Sequence, residues 1–138
     1  MTNHCLKGDE MMNAKVRRIE CVYIPITNPY ESAEWYQRNL GLELRNPVTE
    51  DQVQFKVGED QAIFLIKSKE KTTLNFIEVG GTEMPVITLE VTNIQEIYRT
   101  MQTNGVRIEG INETEGCGDF FDVFDPDGNK ISVWGGWK

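Results

Sequence analysis

Histidine is almost missing from this chain. Its 138 residues contain one, His4, in an irregular N-terminal segment. A single histidine argues against any mechanism that needs two, including two-histidine iron or zinc sites and histidine acid–base pairs. Basic residues are also scarce. Fourteen Lys and Arg stand against 22 Asp and Glu, for a net charge of −8. Phosphate backbones and anionic membrane surfaces attract basic proteins, so neither nucleic acid nor membrane is an expected partner. A neutral or cationic small ligand suits this charge better. No stretch approaches the ~18 apolar residues of a membrane span. The three cysteines, Cys5, Cys21 and Cys117, cannot all pair within one chain. With no secretory segment, reduced thiols in a cytoplasmic protein are expected.

What is present is ordinary for a globular chain: 39% hydrophobic and 26% charged residues. This length suits one domain that needs neither disulfide nor metal to fold. Residues 1–14 read as a flexible tail, and 15–138 as the domain. Met11 and Met12 offer internal starts, and Lys7-Gly8-Asp9-Glu10 can be encoded by a purine-rich stretch like a bacterial ribosome-binding sequence. We therefore expect translation to start at Met11 or Met12.

Arg18–Thr27 alternates as a strand. Asn28-Pro29 starts a helix, with Asn as cap and Pro at its first position, and Gly41 ends it. Strands are expected at 42–45, 53–57 and 62–67, then a connector over 68–83 with a short strand within 73–79. The order then recurs. Met84–Val91 reads as a strand, Asn93 as a cap, Ile94–Asn104 as a helix with Ile94, Ile97, Tyr98 and Met101 on one face, and Val106–Glu109 as a strand. Asp119–Phe124 and Lys130–Trp134 form a hairpin around Asp125-Pro126-Asp127-Gly128-Asn129. The letters repeat as well: Ile24-Pro25-Ile26-Thr27-Asn28 answers Leu89-Glu90-Val91-Thr92-Asn93 at an offset of 65. The reading is α+β, with two tandem βαβββ units at about 16–79 and 84–138.

Ser32-Ala33-Glu34-Trp35-Tyr36 with Asn39-Leu40-Gly41-Leu42-Glu43-Leu44, and Phe124-Asp125-Pro126-Asp127-Gly128-Asn129-Lys130-Ile131, resemble the vicinal-oxygen-chelate superfamily. That superfamily includes glyoxalase I, extradiol dioxygenases, and the fosfomycin- and bleomycin-resistance proteins. The resemblance implies an incomplete barrel around a cavity. It also implies four inward side chains, mostly His, Glu or Gln in the family's enzymes, that hold a divalent metal. Counted against the pattern, those positions are Cys21, Phe64, Val86 and Ser132. Phe and Val cannot coordinate a cation, so no metal and no cofactor is expected.

Alternation from these four positions turns Cys21, Tyr23, Phe64, Val86, Thr88, Glu90, Ser132 and Trp134 inward. The other parity, Val22, Ile24, Ile26, Ile63, Leu65, Ile87, Leu89, Val91, Ile131 and Val133, is aliphatic and suits packing under helices. The inward set offers rings, hydroxyls, a thiol and a carboxylate, a lining for a small organic ligand. The leading expectation is a binding or sequestering protein, a homodimer by resemblance. The alternatives are a lyase or isomerase with Glu90 as general base, and a regulatory module with a vestigial cavity. Cys117, in Glu115-Gly116-Cys117-Gly118, is expected in a loop at the cavity mouth. Asp122, Asp125 and Asp127 are read as turn residues rather than calcium ligands.

Overall fold

A computed structural model describes residues 14–114 and 118–137. His4, Cys5, Met11, Met12 and Cys117 lie outside them, and with them the expectations on the tail, the start and the Cys117 loop. Unit one comprises β1 (Cys21–Ile26), α1 (Pro29–Leu40), β2 (Glu43–Leu44), β3 (Gln52–Val57) and β4 (Gln61–Lys67). A short ribbon follows, β5 (Phe76–Ile77) against β6 (Glu83–Met84). Unit two comprises β7 (Ile87–Glu90), α2 (Ile94–Thr103), β8 (Arg107–Thr114), β9 (Gly118–Phe124) and β10 (Lys130–Trp134).

The repeat is expressed in the topology. The two four-stranded sheets are ordered β1-β4-β3-β2 and β7-β10-β9-β8. In each, the first strand pairs in parallel with the last, through a crossover helix, and the other pairs are antiparallel. Among the described residues the sheets do not close into a barrel.

Local chemistry explains α1. Asn28 is extended (φ −129°), and its side chain accepts hydrogen bonds from the N–H groups of Tyr30 and Glu31. Gly41, at φ 66°, closes the helix in the left-handed region and donates its N–H to Gln37 O. The matching Asn93 behaves differently. It caps α2 at φ 53° with no side-chain cap bond. The expected strand Met84–Val91 is two pieces, since Pro85 has no N–H for a ladder and Val86 falls outside β7. Strand β8 runs to Thr114, beyond the expected Glu109, by passing an irregularity between Glu109 and Asn112.

The helix-side parity holds. Ile24, Ile26, Ile63, Leu65, Ile131 and Val133 are buried and join Tyr36, Phe55, Met101 and Phe121 in one core. Burying each such side chain contributes roughly 1.5–3 kcal/mol before its ordering cost.

The 125–129 turn fastens unit two to unit one. Tyr36 Oη donates to Asp125 Oδ2 at 2.7 Å, and Thr27 Oγ1 donates to Asp127 Oδ1 at 2.7 Å. Asn129 Nδ2 donates to Pro25 O at 2.9 Å, and Asn129 Oδ1 accepts from Leu74 N at 3.0 Å. Asp125 and Asp127 are both 5% exposed. Desolvation raises the Asp125 pKa above its ordinary 3.8, against the pull of its hydrogen bonds. Burial likewise pushes the Tyr36 phenol well above 10.

Candidate functional site

Each sheet packs one face under its helix and leaves the other open. On unit one, register aligns Tyr23, Phe64 and Gln54 in a row across β1, β4 and β3. The Tyr23 and Phe64 rings lie 5.6 Å apart, and the Arg45 guanidinium lies 5.5 Å from the Phe64 centroid. An amide chain borders them: Asn46 Nδ2 donates to Gln54 Oε1 at 2.6 Å, and Gln54 Nε2 to Gln52 Oε1 at 3.1 Å. Tyr23 is 60% exposed. A hydrogen bond with the Cys21 thiol raises its pKa and so favours the neutral phenol. Cys21 is a half-buried free thiol on the same strand face.

Unit two is more polar. Across β7, β10, β9 and β8 one row reads Thr88, Ser132, Asp122, Glu109. The next reads Glu90, Trp134, Phe120, Asn112. Lys130 begins β10 on this face. Its Nζ donates to Glu83 O at 2.8 Å and pairs with Glu109 at 2.7 Å and Asp122 at 3.8 Å. The Glu109 hydrogen bond raises the Lys130 pKa, which favours the ammonium. Arg107 covers the Phe124 ring at 3.8 Å.

Two clefts open beside these rows. One of about 600 Å³ is lined by Tyr23, Pro25, Ile66, Ser68 and Leu74. The other, about 370 Å³, lies between edge strands β1 and β7, where Cys21 and Ala62 face Thr88 and Glu90 above Leu40 and Leu42.

The expected site residues are thus distributed. Tyr23 and Phe64 are together on unit one, and Cys21, Thr88 and Glu90 line the cleft between the sheets. Ser132 is buried in the polar row, and Trp134 packs edge-on against Trp137 at 4.9 Å. Val86, 58% exposed, precedes β7. Sequence reading missed Arg45, Gln54, Asp122, Glu109 and Lys130 on the same faces. Alternation along β3 and β10 carried signal for Gln54 and Lys130. Asp122 and Glu109 needed the register of β8 on β9.

The four positions that the fold pattern assigns to a metal do not fit one, because Phe64 and Val86 have no donor atoms. Among the described residues no three His, Cys, Asp or Glu side chains are grouped to hold an ion.

Residues 18–133 match the family model of the Glyoxalase/Bleomycin resistance protein/Dioxygenase superfamily. The chain belongs to that superfamily. Solved structures of this glyoxalase-type fold agree. Lactoylglutathione lyase from Agrobacterium tumefaciens superposes with TM-score 0.68 at 18% identity, over 89% of this chain and 96% of that one. A glyoxalase family protein from Bacillus anthracis gives 0.68 at 19%, over 91% and 99%. TnmS3, an antibiotic binding protein from Streptomyces sp. CB03234, gives 0.68 at 17%, over 90% and 99%. At these identities the likeness is one of fold. No curated protein matches the chain in sequence. Among the described residues no helix is long and apolar enough to cross a membrane.

Proposed function

We propose that this chain is a metal-independent small-molecule binding protein of the glyoxalase/bleomycin-resistance type, acting in the cytoplasm. The ligand lies on the open faces of the two sheets. The observation that carries this reading is the contrast between parities. On β1 the helix-side Ile24 and Ile26 are 1% and 0% exposed, whereas Tyr23 stands 60% exposed on the other side; Val86, just before β7, is 58% exposed. An exposed phenol beside a half-buried ring, hydroxyls and a few charges offers the makings of a binding surface.

A second copy supplies the cover. Isologous pairing would set the open face of one copy against that of its partner and turn a shallow platform into a cavity. Exposed Tyr23 on the open face, with exposed Val86 before β7 and Phe76 and Ile77 of the adjoining ribbon, would give that contact its surface.

Glu90 as a general base is the enzymatic alternative. It is exposed at the end of β7, and binding accounts for its place in the cleft as well as proton transfer does. Native mass spectrometry of the protein incubated with a small-molecule extract tests the proposal. A discrete adduct, lost in the Tyr23→Ala/Trp134→Ala double variant, supports it. An adduct retained in that variant, or none at all, opposes it.

A further inference from the structure

A sheet accepts a further strand only at its edges. The two four-stranded sheets have β2 and β8 as outer edges, while β1 and β7 both border the cleft of about 370 Å³. The outer edges are blunted. β2 is two residues long, and β8 carries an irregularity between Glu109 and Asn112. The inner edges are longer, six residues in β1 and four in β7, and no ladder joins them to each other among the described residues.

The hydrogen bonds at the ends of these strands fix which backbone groups face the cleft. Ala62 N–H donates to Glu20 O at 3.2 Å, and Ser68 N–H to Ile26 O at 2.9 Å. Bonding residues alternate along a parallel ladder, so Val22 and Ile24 turn their N–H and C=O toward β4. Cys21, Tyr23 and Pro25 turn theirs away from it. On the other side, Val91 N–H donates to Trp134 O at 2.8 Å, so Ile87 and Leu89 bond to β10. Thr88 and Glu90 then face outward. Pro25 has no N–H, and its carbonyl accepts from Asn129 Nδ2 at 2.9 Å. The groups left over are the N–H and C=O of Cys21 and Tyr23 on one edge and of Thr88 and Glu90 on the other. Beneath them the cleft is apolar, with Val22, Leu40, Leu42, Ile63 and Leu89 in its lining.

We infer that this cleft takes a small ligand built on consecutive secondary amides and carrying an apolar side chain, the chemistry of a short extended peptide. The inference rests on the small-molecule reading above; it names the class of ligand and the strand edges that hold it. A free edge presents donors and acceptors in alternation, and an extended amide chain presents the matching alternation. A ligand with acceptors alone leaves the edge carbonyls unmatched. The apolar side chain fills the floor, where removal from water favours it. The volume lies within the ~300–1,000 Å³ usual for small-molecule sites. Because β1 belongs to unit one and β7 to unit two, such a ligand bridges the two sheets.

The test compares two probes of one skeleton on the ¹⁵N-labelled protein. N-acetyl-leucine N-methylamide has two N–H donors. Methyl 2-acetoxy-4-methylpentanoate has oxygen in place of both. In the free protein, the amides of Cys21, Tyr23, Thr88 and Glu90 are expected to exchange with solvent faster than those of Val22, Ile24 and Leu89. The amide probe should shift the first group most and bind about tenfold or more tightly than the ester, the scale of two hydrogen bonds. Thr88→Pro removes one outward N–H at an edge position, as Pro25 already does, and should weaken the amide probe about threefold to tenfold. A thermal midpoint checks that variant, and the two probes decide without it if it does not fold. Equal affinity for both probes, or shifts confined to Phe64 and Trp134, overturns the amide assignment and leaves the small-molecule reading standing. Slow exchange of all four edge amides in the free protein overturns it too, because the edges are then already paired. No shift with either probe also overturns it, while the adduct experiment above judges the small-molecule reading by itself.

Discussion

The Tyr36 hydroxyl donates a 2.7 Å hydrogen bond to Asp125 Oδ2 across 89 residues of sequence. The contact is buried and joins the middle of α1 to the turn between β9 and β10. Asp125 also accepts from the backbone N–H groups of Asp127 and Asn129, each at 2.9 Å, so one carboxylate shapes its own turn and holds the other unit. Tyr36→Phe removes one donor and keeps the ring. We expect a loss of about 1–3 kcal/mol in stability by urea denaturation, with one unfolding transition for both units. A loss below about half a kcal/mol, outside the usual range for such a buried bond, would contradict the role assigned to this pair.

The same carboxylate sets a pH dependence. Because desolvation raises its folded pKa above 3.8, the protonated form is the one the fold favours. Its contribution is fully present below 3.8 and is lost as pH rises through the raised value. Asp125→Asn removes this titration. The stability difference between wild type and Asp125→Asn should therefore shift in favour of wild type as pH falls from 7 through the raised value, as read by thermal midpoints. A difference that does not change with pH, or changes the other way, would contradict the burial assigned to Asp125.

Lys130 fixes the base of the β5–β6 ribbon. Its Nζ donates to Glu83 O, and its N–H donates to Asn75 Oδ1 at 2.8 Å. Lys130→Met keeps the backbone bond and most of the packing but removes the ammonium from Glu109 and Glu83. Glu109 is half exposed, so solvent screens the pair, and the expected cost is that of a lost hydrogen-bond partner, about 1–3 kcal/mol. Limited proteolysis should then cut within residues 76–84 faster than in wild type. Unchanged cleavage there would show that the ribbon is held by other contacts.

Tyr23→Glu/Val86→Glu places two carboxylates at exposed apolar positions, one on the open face and one just before β7, and touches no core residue. If a second copy covers that face, light scattering should find a dimer for the wild type and a monomer for the variant, with similar thermal midpoints at low protein concentration. A wild-type monomer, or a variant dimer, would count against the proposed cover.

Much of the fold could be read from the letters, for local reasons. Asn28-Pro29 and Gly41 bracket α1 because capping chemistry acts over a few residues. Strand parity was legible because Ile24, Ile26, Ile63, Leu65, Ile131 and Val133 must be buried together. What escaped depended on distant partners. Asn93 matches Asn28 in sequence but adopts a left-handed conformation, so identical letters gave different caps. The turn character of Asp125 and Asp127 was visible, but their bonds to Tyr36 and Thr27 of the other unit were not. Asp122 was read as a turn residue because its place in the row between Ser132 and Glu109 is fixed by β8 and β10 together.

The most direct test of the account is where small aromatic molecules touch the protein. Amide shifts from an aromatic fragment set on the ¹⁵N-labelled chain should cluster at Tyr23, Phe64, Thr88, Ser132 and Trp134, on the faces turned away from α1 and α2. Shifts confined to the helix side, or scattered with no preference for these residues, would contradict it.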